Sequence, residues 1–246
     1  KDQSGAIYFQ TENGSFSLSK QSALVADSKY EDLGSGFFDA DNDGDVDLYV
    51  VSGGTESSEG ANYQDRLYLN DGKGNFTKFA KNLPTIISSG SCVSFIDFDA
   101  DGDLDIFRGG RTIPDKYPFP PRSYFLKNNG KGVFEDVSNI VAKEIMQLGM
   151  ITSTCVTDLN GDKIPELVLA GEWMPIKIFE IKNGVFVESA LSQQLKNTEG
   201  WWYSLSNADL DGDGDQDLLC GNLGENYKFH ASVEKPFQVY GNDFDH

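Results

Sequence analysis

Histidine is almost missing from this sequence of 246 residues; there are two, His230 and His246. Serine, histidine and acid therefore form no suggestive nucleophilic set, and His230 is read as a surface or structural residue. No G-x-S-x-G, H-E-x-x-H or phosphate-cradling glycine loop occurs. Basic residues are scarce as well, with 20 Lys and Arg against 39 Asp and Glu and a formal charge of −19. Such a balance opposes a nucleic-acid backbone or an anionic membrane as partner. No stretch reaches the ~18 apolar residues that a membrane span needs. Cysteine is limited to Cys92, Cys155 and Cys220, each in or beside an apolar run and with no C-x-x-C pair. They read as buried thiols and leave the redox compartment open.

What is present is aromatic and acidic. A hydrophobic fraction of 39%, with 17 Phe and 10 Tyr, is enough to build a core. The acids cluster at two-residue spacing, where carboxylates repel one another unless a cation neutralises them. The clusters are four copies of one segment: GFFDADNDGDVDLYVVSGG, SFIDFDADGDLDIFRGG, CVTDLNGDKIPELVLAG and NADLDGDGDQDLLCG. Their first acids, Asp39, Asp97, Asp158 and Asp209, are 58, 61 and 51 residues apart. That period is slightly longer than the ~40–50 residues of common propeller blades.

Around each acidic loop the apolar residues alternate or form short runs closed by glycine pairs, which are strand signals. Between the loops lies a second repeated element, a hairpin, at 66–79, 123–137 and 176–189, with a further copy at 6–19. Its Asn-Gly and Asp-Gly pairs between alternating apolar residues are strong hairpin signals. Each unit thus reads as strand, acidic loop, strand, hairpin, with no long helix. Radial repetition of four-stranded sheets predicts an all-β fold, a single β-propeller over 1–246. Blade units are expected near 34–80, 91–138, 151–190 and 201–235. The half-units 6–19 and 236–246 would pair through Phe237–Tyr240 to close a fifth blade. The rival expectation is an incomplete fragment of a larger propeller.

The loop pattern D-x-D-x-D-G-x-x-D suits calcium, a hard cation that takes six to eight oxygens. Alternate side chains turn inward, and glycine at position six permits a sharp bend. The expected side-chain ligands are Asp39, Asp41, Asp43 and Asp47; Asp97, Asp99, Asp101 and Asp105; Asp158, Asn160, Asp162 and Glu166; and Asp209, Asp211, Asp213 and Asp217. Position seven, occupied by Asp45, Asp103, Ile164 and Asp215, lends its backbone carbonyl. The third loop departs by carrying Lys163 at the bend. About four Ca2+ ions are expected, with a fifth near Asp243 and Asp245. An EF-hand is excluded because position twelve is Val50, Arg108, Leu169 or Cys220 and the flanks are strands.

The segments DADNDGDVDLYV, DFDADGDLDIFRGG and DLDGDGDQDLLCGN resemble FG-GAP and VCBS repeats, the calcium-binding blades of integrin-alpha-like propellers. The stretches 109–132 and 221–245 are similar to parts of VCBS-repeat surface proteins of Bacteroidetes-type bacteria and of ASPIC/UnbV-associated proteins. The resemblance implies an extracellular, cell-surface or periplasmic protein with a role in adhesion, scaffolding or carbohydrate binding. Its partner would be a carbohydrate or protein at the cell surface, or other domains of a longer chain.

The candidate ligand-binding residues are Arg111, Lys116, Tyr117, Phe119 and Arg122, a stiff aromatic and cationic insertion rich in proline, together with Trp173, Trp201 and Trp202. Aromatic faces of this kind serve recognition when exposed and packing when buried. The expectation is a binding module rather than an enzyme. The alternative, a polysaccharide-acting hydrolase or lyase, needs carboxylates outside the loops, for which Glu56, Glu59, Glu172, Glu199 and Glu225 are the candidates.

Overall fold

The structure is a computed structural model that describes residues 4–56, 60–224, 228, 230–232 and 234–240. The chain opens with a hairpin, β1 (Ile7–Gln10) and β2 (Phe16–Ser19), and a short helix, α1 (Ser22–Ala26). Three four-strand runs follow: β3 (Asp32–Phe38), β4 (Asp47–Ser52), β5 (Arg66–Asn70) and β6 (Phe76–Lys78); then β7 (Ser89–Ile96), β8 (Asp105–Thr112), β9 (Tyr124–Asn128) and β10 (Phe134–Asp136). After α2 (Ser138–Val141) come β11 (Met150–Thr157), β12 (Glu166–Met174), β13 (Lys177–Lys182) and β14 (Val185–Glu188), and finally β15 (Gly200–Ala208) and β16 (Asp217–Asn222). Every pairing is antiparallel, and all but that of β12 with β15 join strands consecutive in the chain, as the hairpin signals require.

The second strand of each run is the most deeply buried, because it has a packed face on both sides. In β4, Tyr49 and Val51 meet Ile106, Tyr124 and Leu126 of the next sheet, while Leu48 and Val50 turn back toward Leu24 and Tyr68. In β8, Phe107 joins Phe125, Ile151, Leu167 and Phe186 on the side of the third sheet. In β12, Val168 and Ala170 underlie Trp202, Leu205 and Leu218 of the last hairpin. Each such Phe, Leu or Ile contributes about 1.5–3 kcal/mol by leaving water. The first strands β3, β7, β11 and β15 stand beside one another in chain order. Backbones approach closely there: a Cβ on Gly90 would collide with the Arg108 guanidinium and with Val51.

The expected propeller does not form. The described residues make four separate open sheets, and none closes into a ring. Two features of the pairing explain this. Among the described residues the β15–β16 hairpin has no third and fourth strands of its own; it is bonded through Glu172↔Trp201 and Met174↔Gly200 onto β12, giving one six-stranded sheet. The β1–β2 hairpin pairs only with itself, and residues 236–240 carry no strand, so the pairing expected of Phe237–Tyr240 is not made. Hairpin signals specify local pairing, but ring closure depends on contacts between chain ends that no local pattern encodes.

Candidate functional site: acidic loops and an arginine-rich end

Each acidic loop joins the first strand of a run to the second, so all four hang from the same end of their sheets. Positions four and six are left-handed in every copy: Asn42 and Gly44 (φ 61 and 92), Ala100 and Gly102 (61 and 94), Gly161 and Lys163 (77 and 71), Gly212 and Gly214 (80 and 99). This conformation turns backbone N–H groups onto the first acid. Gly44 donates to Asp39 at 3.0 Å, Gly102 to Asp97 at 3.0 Å, Lys163 to Asp158 at 2.8 Å and Gly214 to Asp209 at 3.1 Å.

Three carboxylate sets result. Asp39, Asp41 and Asp43 converge, as do Asp97, Asp99 and Asp101, and Asp209, Asp211 and Asp217, with one oxygen of each within 4.8 Å of the others. Among the described residues, Asp39 Oδ1, Asp41 Oδ1 and Asp99 Oδ1 are shut away from water without a hydrogen-bond partner. Burial, followed by the charge of Asp43, pushes the Asp41 carboxyl above its usual range. Asp47 and Asp105, the ninth residues, stand outside these sets. Asp47 accepts N–H bonds from Ala40 (2.9 Å) and Asn70 (2.8 Å), and Asp105 accepts them from Phe98 (3.3 Å) and Asn128 (2.7 Å). They clip the loop to the third strand, and burial pushes Asp105 up to about 7.

The other expected ligands are placed less alike. Asp213 and Asp215 lie outside the fourth set; Asp215 is raised by a shared hydrogen bond with Asp213 and by its charge. In the third loop the Asn160 amide donates to Glu166 at 2.6 Å, Asp162 accepts from Ile164 N at 2.8 Å, and the Ile164 side chain is exposed. No carboxylate triad forms there among the described residues. Asp45 packs beside Gly72, and Asp103 accepts from the Asn42 amide of the neighbouring loop at 2.5 Å. Lys127, not singled out from the sequence, places its ammonium on Asp99 and Asp101. Asp243 and Asp245 lie outside the described residues.

The opposite strand ends carry a different chemistry. Glu172 on β12 is buried, and its carboxylate accepts from Arg111 Nη2 (2.6 Å), Tyr203 OH (2.9 Å) and Tyr117 OH (3.0 Å). Tyr117 OH in turn accepts from Trp173 Nε1 at 2.6 Å. The Trp173 ring stacks edge-on to Trp201 (5.0 Å) and tilts against Phe237 (5.7 Å). Burial, followed by the hydrogen bond to Glu172, pushes the Tyr203 phenol up to about 12. Beside this cluster lies a cavity of about 390 Å³ lined by Leu33, Gly54, Thr55, Ser89, Arg111, Thr112, Tyr117, Met150 and Glu172.

Strand irregularities aim these side chains. The registers skip Leu33 on β3, Arg111 on β8, Trp173 on β12 and Tyr203 on β15, each an extra residue opposite an unbroken partner. Such bulges re-aim a side chain. Trp173 adopts φ 62, which costs a bulky residue roughly 1–3 kcal/mol. Of these, Arg111 and Trp173 were singled out from the sequence, whereas Leu33 and Tyr203 were not among the expected ligand-binding residues, although Tyr203 follows the Trp pair. Of the expected ligand-binding residues, Arg111, Tyr117, Trp173 and Trp201 therefore meet. Lys116 and Phe119 are exposed, Arg122 is held by Asp136 at 2.6 Å, and Trp202 packs under β12 with its indole N–H on Thr198 O.

Further inside the same end, Arg108 of β8 and Asp65 are both fully buried and paired at 3.0 Å. Arg108 also donates to Ser52 O and Ser88 O, and Asp65 accepts from Tyr49 OH and Ser52 N. Among the candidate acids, Glu56 lies beside Glu31, Glu199 is exposed, and Glu59 and Glu225 are outside the described residues.

An all-β chain of antiparallel sheets whose hairpin loops gather carboxylates defines a repeat protein with cation-capable loops. The sequence profile of the FG-GAP-like repeat matches residues 39–107 and 158–220, more than half of the chain, and the chain belongs to that family. The insertion carrying Arg111 and Tyr117 falls between the matched segments. No curated protein matches the chain.

Proposed function

We propose that this chain is a calcium-stabilised binding or scaffolding module that works outside the cytoplasm, at a cell surface or in the periplasm. The observation that carries the reading is the buried, unpartnered oxygen on each of Asp39, Asp41 and Asp99 inside a carboxylate triad. An all-oxygen donor set calls for a hard cation, and flexible loops with many oxygens suit calcium better than octahedral magnesium. Asp39, Asp41 and Asp43 would hold the first ion, Asp97, Asp99 and Asp101 the second, and Asp209, Asp211 and Asp217 a third. Bound there, the ion supplies charge neutralisation and ties the loop together. Weak extracellular sites fill at roughly 10⁻⁴–10⁻³ M calcium, which supports an extracytoplasmic setting.

Binding rather than catalysis is favoured by the state of Glu172. Both of its oxygens already accept hydrogen bonds, and among the described residues no second acid lines the cavity beside it. Titration calorimetry on chelator-stripped protein tests the reading. Three calcium sites with magnesium weaker at each are expected. Absence of calcium binding, or equal affinity for magnesium, would sink it.

A further inference from the structure

We infer that the cavity beside Glu172 is a binding site for a neutral saccharide unit, with Arg111 and Tyr117 as its recognition residues. The inference rests on the binding-module reading above and names the ligand class of that module.

Charge comes first. Among the described residues Arg111 and Glu172 are the two charged residues lining the cavity, and at 2.6 Å apart they neutralise each other. An anionic ligand reaching Arg111 would face the Glu172 carboxylate, and a cation reaching Glu172 would face the guanidinium. Among the described residues Arg111 commits only Nη2, so its remaining N–H groups stay available as donors. Thr55 and Thr112 add hydroxyls that both donate and accept. Leu33 and Met150 give the cavity an apolar wall.

Shape and aromatic surface agree with this. The cavity volume of about 390 Å³ lies within the range of small-ligand sites. At its rim Tyr117 is 52% exposed, and next to it Trp173, Trp201 and Phe237 form a connected aromatic shelf. A sugar ring has an apolar C–H face and a polar hydroxyl edge, which matches a ring surface beside fixed donors and acceptors.

The local backbone is built for it. Leu33, Arg111, Trp173 and Tyr203 come from four different strands, and each is the extra residue of a bulge. Leu33 and Arg111 line the cavity, while Trp173 and Tyr203 reach its Tyr117 and Glu172 from outside the lining. First-strand bulges like those at Leu33 and Tyr203 recur at Ser91 and Thr152, so the bulges peculiar to this place among the described residues are those of Arg111 and Trp173.

The test is tryptophan fluorescence and calorimetry on the calcium-loaded chain. The probes are neutral cello-, xylo-, malto- and manno-oligosaccharides, with oligogalacturonate and an acidic peptide as controls. At least one neutral oligosaccharide is expected to bind, at least tenfold more tightly than either control. Arg111→Gln and Tyr117→Ala should each weaken it at least tenfold while the upward shift of the melting temperature on adding calcium is retained, Arg111→Gln from a lower starting temperature because Glu172 loses its counter-charge. Tyr117→Phe, which keeps the ring, should retain most of the affinity if stacking dominates. Preference for either control, or neutral-sugar binding that both Arg111→Gln and Tyr117→Ala leave unchanged, overturns the inference. So does the absence of binding by every neutral probe. A calcium titration of the same sample separates the two claims. Calcium binding without saccharide binding defeats only the ligand assignment, whereas no calcium binding defeats the module reading beneath it.

Discussion

The two ends of the sheets handle the same chemical group in opposite ways. At the loop end, Asp39, Asp41 and Asp99 each keep one carboxylate oxygen out of water without a hydrogen-bond partner, and of the three only Asp99 has a lysine, Lys127, on its other oxygen. At the other end, Glu172 and Asp65 are as buried or more so, yet Arg111 and Arg108 of the single strand β8 hold them at 2.6 and 3.0 Å. Burying an unpaired charge is expensive, and the cost falls when an opposite charge and hydrogen bonds accompany it. The arginine end carries its counter-charges in the chain and is complete in any milieu. The loop end carries clusters able to take a cation from solution, and on the reading proposed above its stability is expected to depend on cation concentration.

The comparison can be broken most forcefully by removing the cation. Three sites filled to 100 times their dissociation constants contribute about 2.7 kcal/mol each, and at about 2–4 °C per kcal/mol chelation should lower the melting temperature by roughly 15–30 °C. An unmoved melting curve would show that the loops are neutralised without an ion. The arginine end should fail differently. Arg108→Met strands Asp65 in the core and is expected to cost about 3–5 kcal/mol in urea unfolding, with or without calcium. If that loss vanishes on adding calcium, the two ends are not independent.

A smaller effect distinguishes the loops from one another. Lys127, one residue past the Ile106↔Leu126 pair, already places a cation on Asp99 and Asp101, whereas Leu69, one residue past the equivalent Leu48↔Tyr68 pair, holds that place in the first sheet. Lys127→Met should therefore raise the affinity of one site about tenfold, or roughly 1.4 kcal/mol, read by terbium luminescence. Unchanged affinity would place the second ion away from the lysine. The smallest effect belongs to the third loop. Lys163 sits at φ 71 where the other copies have glycine, so Lys163→Gly should stabilise the chain by about 1 kcal/mol or less. A loss of stability on that change would mean the lysine side chain has a role beyond its strained backbone.

Much of the loop end was legible because everything it needs is local. Acids at alternate positions, a glycine at position six and flanking alternation lie within a dozen residues, and the hairpins at 66–79, 123–137 and 176–189 appear where their turn residues predict. Position four was not foreseen as left-handed, since Asn42 and Ala100 do not announce it as glycine does. Lys127 was missed because it reaches Asp99 from across 28 residues. The arginine end was barely legible. Arg108 and Asp65 are 43 residues apart, and Arg111 and Glu172 are 61 apart. Nothing near any of them in sequence signals a partner.

By itself the sequence determined the all-β class, the order of strands within each run and the chemistry of the acidic loops, because turn residues and side-chain alternation act over a few positions. Tertiary structure alone decided that the sheets remain open, that the last hairpin is grafted onto β12, and that bulged Leu33 and Arg111 of two different sheets line one cavity. Those outcomes depend on which edges and faces meet, and such long-range contacts leave no periodic mark on the chain.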